Sequence, residues 1–169
     1  MPDELPDRVF GWFPSLKRSD VEQTSKIDGL YNCIAHAAGE DDAWWQPTKG
    51  TGIYWPRLAP MEFTLKAYQA AFATKGYVPC NSEALEEGIE KIAIFIDDQG
   101  KPTHAARQLS DGAWTSKFGP WEDARHVELR QLEGPDPSYG KVVAFMKRQR
   151  PSLPIAPPSV GNGGPLPPG

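Results

Sequence analysis

From Lys91 to Lys147 the chain is a series of short apolar runs separated by turn signals, and this pattern constrains the fold most. Lys91-Ile92-Ala93-Ile94-Phe95-Ile96-Asp97 has the unbroken apolar character of a buried strand. Asp98-Gln99-Gly100 is a hairpin turn signal, and Thr103 to Leu109 follows as a second strand. Ser110-Asp111-Gly112 turns the chain into a third, Ala113 to Lys117. Pro120-Trp121-Glu122-Asp123 makes a turn or a single helical turn. His126 to Leu132 alternates and reads as a strand, and Tyr139 to Lys147 reads as the last one.

The half before this is helical. Asn32 is a preferred helix cap and Gly39 a natural stop, with the small residues Ala35, Ala37 and Ala38 between them. Small side chains let a helix approach a sheet closely, so this helix belongs inside the domain. A second helix is expected from about Met61 to Lys75, with Pro60 near its start and Gly76 past its end. Asn81 to Glu90 reads as a short helix or turn, and Arg8 to Pro14 as a largely apolar arm that packs on the domain. Helices first and an antiparallel meander after them predict an α+β domain.

The 169 residues suffice for one domain with a sizeable core. We place it over 1–148 and read 149–169 as a disordered Pro/Gly-rich tail, which holds seven of the 18 prolines. Its functional reading is a docking peptide for a proline-binding partner. Net charge is −4, and no Lys/Arg cluster is dense enough to track a phosphate backbone, which disfavours nucleic acid. No apolar run approaches the ~20 residues of a membrane span. The N-terminus is acidic and lacks the apolar core of a secretory signal, so a cytoplasmic location is the default expectation, with non-classical delivery left open. Two cysteines, Cys33 and Cys80, make no disulfide framework and are read as free thiols.

Cys33 directly follows the helix cap. A helix start favours an anion through its unpaired N–H groups and dipole, which should lower a thiol pKa. A histidine brought alongside a thiolate holds it and shuttles protons. His104 opens the second strand. With a three-residue loop at Ser110-Asp111-Gly112, Leu109 pairs with Ala113 and Ala106 with Ser116. His104, Ala106, Gln108, Trp114 and Ser116 then share a face, and Ser116 is a diagonal neighbour of His104 able to set its tautomer. A two-residue loop would put Thr115 and Lys117 there instead, an unfavourable setting for a histidine that must become cationic.

A cysteine opening a helix, then a meander with histidine on its second strand and a polar residue on its third, resembles the papain-like superfamily, most closely the NlpC/P60-type amidases and peptidases. Asn32-Cys33-Ile34-Ala35 is similar to the Cys-aromatic-Ala helix start of papain-like enzymes. Together with Trp44-Trp45, Thr103-His104-Ala105-Ala106-Arg107 and Trp114-Thr115-Ser116-Lys117, it is also similar to small bacterial proteins of unassigned function. The resemblance spans roughly Asn32 to Lys147. It implies a papain-like fold with N-terminal helices on an antiparallel meander. Cys33 is then the nucleophile, His104 the general base and acid, and Ser116 the orienting residue, where this branch usually carries His, Asn, Asp or Gln.

The chemistry so implied is acyl transfer on a peptide or protein amide through a thioester, ending in hydrolysis, deamidation or transfer. The backbone N–H of Cys33, assisted by the Asn32 side chain, would bind the oxyanion. Trp44, Trp45 and Trp114 would wall the cleft. Lys117 and His126 are alternatives for the third position. A metal pair of Cys33 and His36, completed by Cys80 and His104 or His126, lacks the paired spacing of zinc sites, so neither metal nor cofactor is expected. The alternative is a module that keeps the fold and binds a peptide or protein without turnover.

Overall fold

The computed structural model describes residues 4–151. Its elements, in chain order, are α1 (Asp7–Trp12), β1 (Val21–Gln23), α2 (Cys33–Ala38), β2 (Trp44–Trp45), β3 (Ile53–Tyr54), α3 (Leu65–Ala73) and β4 (Val78–Cys80). Then come β5 (Ile89–Ile96), β6 (Pro102–Gln108), β7 (Trp114–Lys117), β8 (Asp123–His126) and β9 (Lys141–Gln149), with 3-10 turns at Arg18–Asp20 and Arg130–Leu132. Seven strands form one sheet in the order β1-β8-β7-β6-β5-β9-β4, and every pairing in it is antiparallel. β2 and β3 make a separate parallel pair. The architecture is α+β, an antiparallel sheet with few helices.

The sheet has a core layer on each face. On one, Cys33 and Ile34 of α2 with Tyr68 and Phe72 of α3 cover Ile92, Ile94, Ala105 and Met146. On the other, Val9 of α1, Phe13, Leu129 and Leu132 cover Ala93, Phe95, Ala106, Trp114, Phe118 and Ala124. The alternation of Ile92, Ala93, Ile94 and Phe95 between layers is the period-2 geometry of a strand buried on both sides. Ala35 and Ala37 are fully buried, so α2 approaches β6 and β7 as its small residues predict. Gly39 ends it in the left-handed region at φ 85°, and its N–H returns to Ala35 O and His36 O.

Several boundaries differ from expectation. α3 starts at Leu65 rather than near Met61, because the Thr64 side chain accepts the Ala67 N–H and fixes the cap there. The strand expected over His126 to Leu132 lies earlier, at Asp123–His126, where it pairs with both β7 and β1, and Arg130–Leu132 is a 3-10 turn. The apolar arm at Arg8–Pro14 is mostly the helix α1, with Val9 and Phe13 buried. The last strand outruns the expected boundary at 148: Gln149 pairs with Ile89, and the Arg150 N–H donates to Gly88 O. The remainder of the expected Pro/Gly-rich tail, from 152 onward, lies outside the described residues. Among the described residues, no helix is long and apolar enough to cross a membrane.

Candidate functional site around Cys33 and His104

Cys33 is the first residue of α2. Its cap, Asn32, is buried and its side chain fully engaged: Oδ1 accepts the N–H of Ala35 (3.1 Å) and of Trp45 (3.0 Å), and Nδ2 donates to Trp45 O (2.9 Å). Asn32 therefore ties the helix start to β2, and its amide is not free to serve an oxyanion. Replacing it with alanine removes the cap and strands buried Trp45 groups, so Asn32→Ala should cost about 2–3 kcal/mol in urea-unfolding measurements. A cost below about 0.5 kcal/mol would mean that water replaces all three bonds.

The thiol differs from expectation too. Burial pushes Cys33 up to about 11, while the backbone amides of Ala105 and Ile34 and the charge of Lys117 pull the other way. Helix-start stabilisation is present but weaker than the loss of water around the sulfur. The β6–β7 ladder explains the Ala105 contact. Leu109 N–H bonds Ala113 O and Arg107 pairs with Thr115, so Ala105 comes next in the series that points at β7. The paired register ends at Arg107 and Thr115, short of Ala105, whose amide is the first of the polar groups that favour the Cys33 thiolate.

The hairpin has the three-residue-loop register, with Arg107 opposite Thr115 and Gln108 opposite Trp114. His104 Nε2 lies 2.9 Å from Ser116 Oγ, and Ser116 Oγ lies 2.7 Å from His126 Nε2. His126 Nδ1 is 3.3 Å from Glu128 O, a carbonyl that can only accept. Proton positions follow: His126 Nδ1–H donates to Glu128 O, Ser116 Oγ–H to His126 Nε2, and His104 Nε2–H to Ser116 Oγ. Both imidazoles are neutral in this chain. Burial drives His126 down to about 4 and His104 well below the ordinary imidazole value. His104 stacks on Tyr139 at 4.0 Å between ring centroids, and its Nδ1 is buried without a partner among the described residues.

The sheet keeps this chain away from the thiol. Cross-strand partners share a face, and His104 is opposite Phe95 while Ala105 is opposite Ile94. Ile94 and Ala105 lie in the α2 layer; Phe95 lies in the α1 layer, and His104 packs edge-on against it. Cys33 and His104 thus occupy opposite faces, and His104 makes its one hydrogen bond to Ser116. The structure brings His104, Ser116 and His126 together but does not bring them to Cys33. Trp114 is buried in the α1 layer, so it walls no cleft beside Cys33. Trp45 is buried against Tyr54, and Trp44, with Nε1 donating to Gly29 O, stays nearer the surface.

The polar groups that do face α2 from the strands beneath it are Arg107, Thr115, Lys117 and Asp123, and Arg107 Nε donates to His36 O at 3.3 Å. His36 Nε2 is 2.9 Å from Thr115 Oγ1, and His36 Nδ1 is 3.7 Å from Asp123 Oδ2. Tyr31 donates to Asp123 Oδ2 at 2.7 Å, and the Lys117 ammonium, fully buried, lies 3.9 Å from Asp123 Oδ1. Lys117 also donates to Asp28 O and Trp121 O, holding the loop before α2. Burial lowers His36 to about 4, against the pull of Asp123. Strand alternation opposite Ser116 marks Thr115 and Lys117, but Asp123 falls in Pro120-Trp121-Glu122-Asp123, which has the residues of a turn and so escapes the pattern. Among the described residues no group of three or more His, Cys, Asp or Glu side chains is placed to hold a metal ion.

These features define an α+β domain whose central helix carries a buried cysteine on one face of an antiparallel sheet, with a histidine–serine–histidine chain buried on the other. The chain belongs to the family described as "Domain of unknown function (DUF7689)", which matches residues 22–147 and so covers α2, α3 and the strands β2 to β8 entire, with most of β1 and β9. No curated protein and no solved structure matches it.

Proposed function

We propose that this domain is a peptide- or protein-binding module built on a papain-like core, and that Cys33 does not act as a nucleophile. The observation that carries this reading is the separation of the thiol and the imidazole by the sheet. A buried thiol whose pKa is pushed up to about 11 offers little thiolate at neutral pH, and among the described residues no histidine or carboxylate is bonded to it. The binding side of the reading rests on the loop leading into α2. Ile27 and Leu30 of that loop and Trp121 of the β7–β8 turn are 56 %, 55 % and 39 % exposed, the Trp121 ring resting on Arg8 and Trp12 of α1. They are prearranged: the Asp28 N–H bonds Trp121 O, Lys117 fastens both backbones from below, and Trp44 holds Gly29. A rigid aromatic and aliphatic patch of this kind suits a partner's apolar side chains.

Iodoacetamide alkylation of each thiol as a function of pH tests the reading, with peptide-display selection on the same protein. Cys33 should stay slower than the half-exposed Cys80 throughout pH 6–8.5, with no response to His104→Ala beyond any loss of fold. Selected peptides should lose binding to Leu30→Glu and keep it to Lys26→Ala. Fast alkylation of Cys33 near pH 6, slowed by His104→Ala in a folded protein, would instead establish a cysteine hydrolase. One observation favours that second reading. The Ala105 and Ile34 amides act on Sγ, and His104 Nδ1 is a bare acceptor held from behind by Ser116. A local opening of the sheet at Ala105 would be needed to join them.

A further inference from the structure

Three arginines converge on one buried carboxylate at the end of α2 away from the Leu30–Trp121 patch. Glu90 is 5 % exposed. Its Oε1 accepts Arg148 Nη2 (2.7 Å), Arg148 Nε (2.9 Å) and the Tyr77 hydroxyl (3.0 Å), and its Oε2 accepts Arg150 Nη1 (3.3 Å). Arg107 Nη1 lies 3.8 Å from the same Oε2, while Arg107 Nε is held by His36 O in the last turn of α2. Strand register explains the meeting. Glu90 of β5 pairs with Arg148 of β9, and Arg107 of β6 pairs with Ile92, two residues on from Glu90 and so on the same face. Three guanidinium charges against one carboxylate leave two positive charges uncancelled. Lys75 beside them pairs with Glu40, and Asp41, the other acid by the end of α2, is exposed to solvent. The three guanidinia are partly buried, where like charges repel more strongly than in water. Donors are left over as well. Neither Nη of Arg107 nor the Nε of Arg150 has a hydrogen-bond partner among the described residues, and all three atoms keep surface open to solvent.

We propose that this cluster binds a phosphate monoester dianion, carried by a phosphorylated peptide or by a small phosphorylated molecule. Charge selects the ligand. A phosphate monoester carries about −1.5 to −2 at pH 7, which matches the two charges left over, whereas a carboxylate supplies only one. Guanidinium N–H groups that face solvent present donors in the planar fork that phosphate oxygens accept. The side chains are also held before any ligand arrives. Arg148 donates to Lys75 O and lies over the Tyr77 ring, and Arg150 donates to Ile89 O and Gln108 O. Little side-chain freedom is then lost on binding. Glu90 does not compete for the free donors, because both its oxygens are engaged. Leu30 precedes α2 and Arg107 holds its last turn, so this site and the Leu30–Trp121 patch stand or fall on separate tests.

The test is an NMR titration of the full chain with acetyl-Ala-phosphoserine-Ala-amide and, separately, with inorganic phosphate. The readouts are the Nε–H signals of Arg107 and Arg150 and the amides of Gly39, Lys75 and Gly76. Both probes should give saturable shifts of these groups, weakening as salt is raised. Tighter binding of the peptide assigns the site to a peptide-borne phosphate, and equal binding assigns it to a small phosphorylated molecule. The aspartate peptide acetyl-Ala-Asp-Ala-amide, with one charge, should bind at least about tenfold more weakly. Arg107→Gln and, independently, Arg150→Gln should each lose about tenfold or more in a protein whose α3 amide shifts are unchanged, whereas Lys26→Ala should lose nothing. Shifts that fail to saturate, equal binding of the aspartate peptide, binding unchanged by either glutamine substitution in the folded protein, or saturable shifts confined to another surface would each overturn the assignment.

Discussion

Between pH 7 and pH 4.5 the domain should lose about 4 kcal/mol of stability through His36 and His126 together, about 2 kcal/mol from each. Burial lowers both from 6.5 to about 4 in the folded state. The unfolded chain therefore binds more protons than the folded one across that interval, and stability rises with pH there. The contribution is fully present above about pH 6.5, is lost as pH falls through the interval, and levels off near pH 4. His104, also driven down by burial, acts in the same direction. At His126 the hydrogen-bond chain works in the same direction as burial. A proton on His126 Nε2 would face the hydroxyl proton of Ser116, and turning that hydroxyl would set it against His104 Nε2–H. Urea unfolding at half-unit pH steps measures the loss. Carboxylates contribute to it as well, so the diagnostic variant is His126→Gln, which should flatten the profile by about 2 kcal/mol over the same range. Equal slopes in the two proteins would remove the histidine account.

The second large effect is expected at Asp123. Its carboxylate is buried and lies against three different groups: the Tyr31 hydroxyl, His36 and the Lys117 ammonium. Lys117 is fully buried and shielded by carbonyls rather than by water. Taking away one member of such a pair leaves a charge that neither solvent nor a counter-ion compensates, so Asp123→Ala should cost about 3–5 kcal/mol. Lys117→Met should be milder in the Asp123→Ala background than in the native one, because the unpaired charge leaves with it. A double-mutant cycle measures the difference, and a coupling energy of more than about 1 kcal/mol is expected. Additive effects would mean that Asp123 serves only as an acceptor for Tyr31.

Much of this geometry is legible in the residues, and one relation is not. Asn32 and Gly39 bracket α2 because each satisfies backbone groups at one end of it. Ser110-Asp111-Gly112 sets a register that puts Ser116 within 2.9 Å of His104. What the local pattern leaves undetermined is the face on which α2 settles. Alternation sorts His104 and Ala105 onto opposite sides, but β5 and β6 are buried on both and carry small or apolar residues at their centres on each, so the pattern does not select the side for the helix. Val9 of α1 and the following Phe13 occupy the layer over Phe95, and α2 lies in the other. The six residues of α1 carry too little periodicity to announce a helix. Asp123–His126 was hidden for a related reason: its partner β1 is three residues long, and Pro120-Trp121 reads as the start of a turn.

The stop in the β6–β7 ladder changes how an experimenter should treat Cys33. The β6–β7 pairing stops short of Ala105, whose backbone amide favours an acceptor at the Cys33 sulfur. Alanine at 33 would delete the reactive group and this acceptor together, so a silent Cys33→Ala protein would report on sheet integrity as much as on chemistry. Serine keeps an acceptor on the same stem and is the cleaner control for any assay run on this domain.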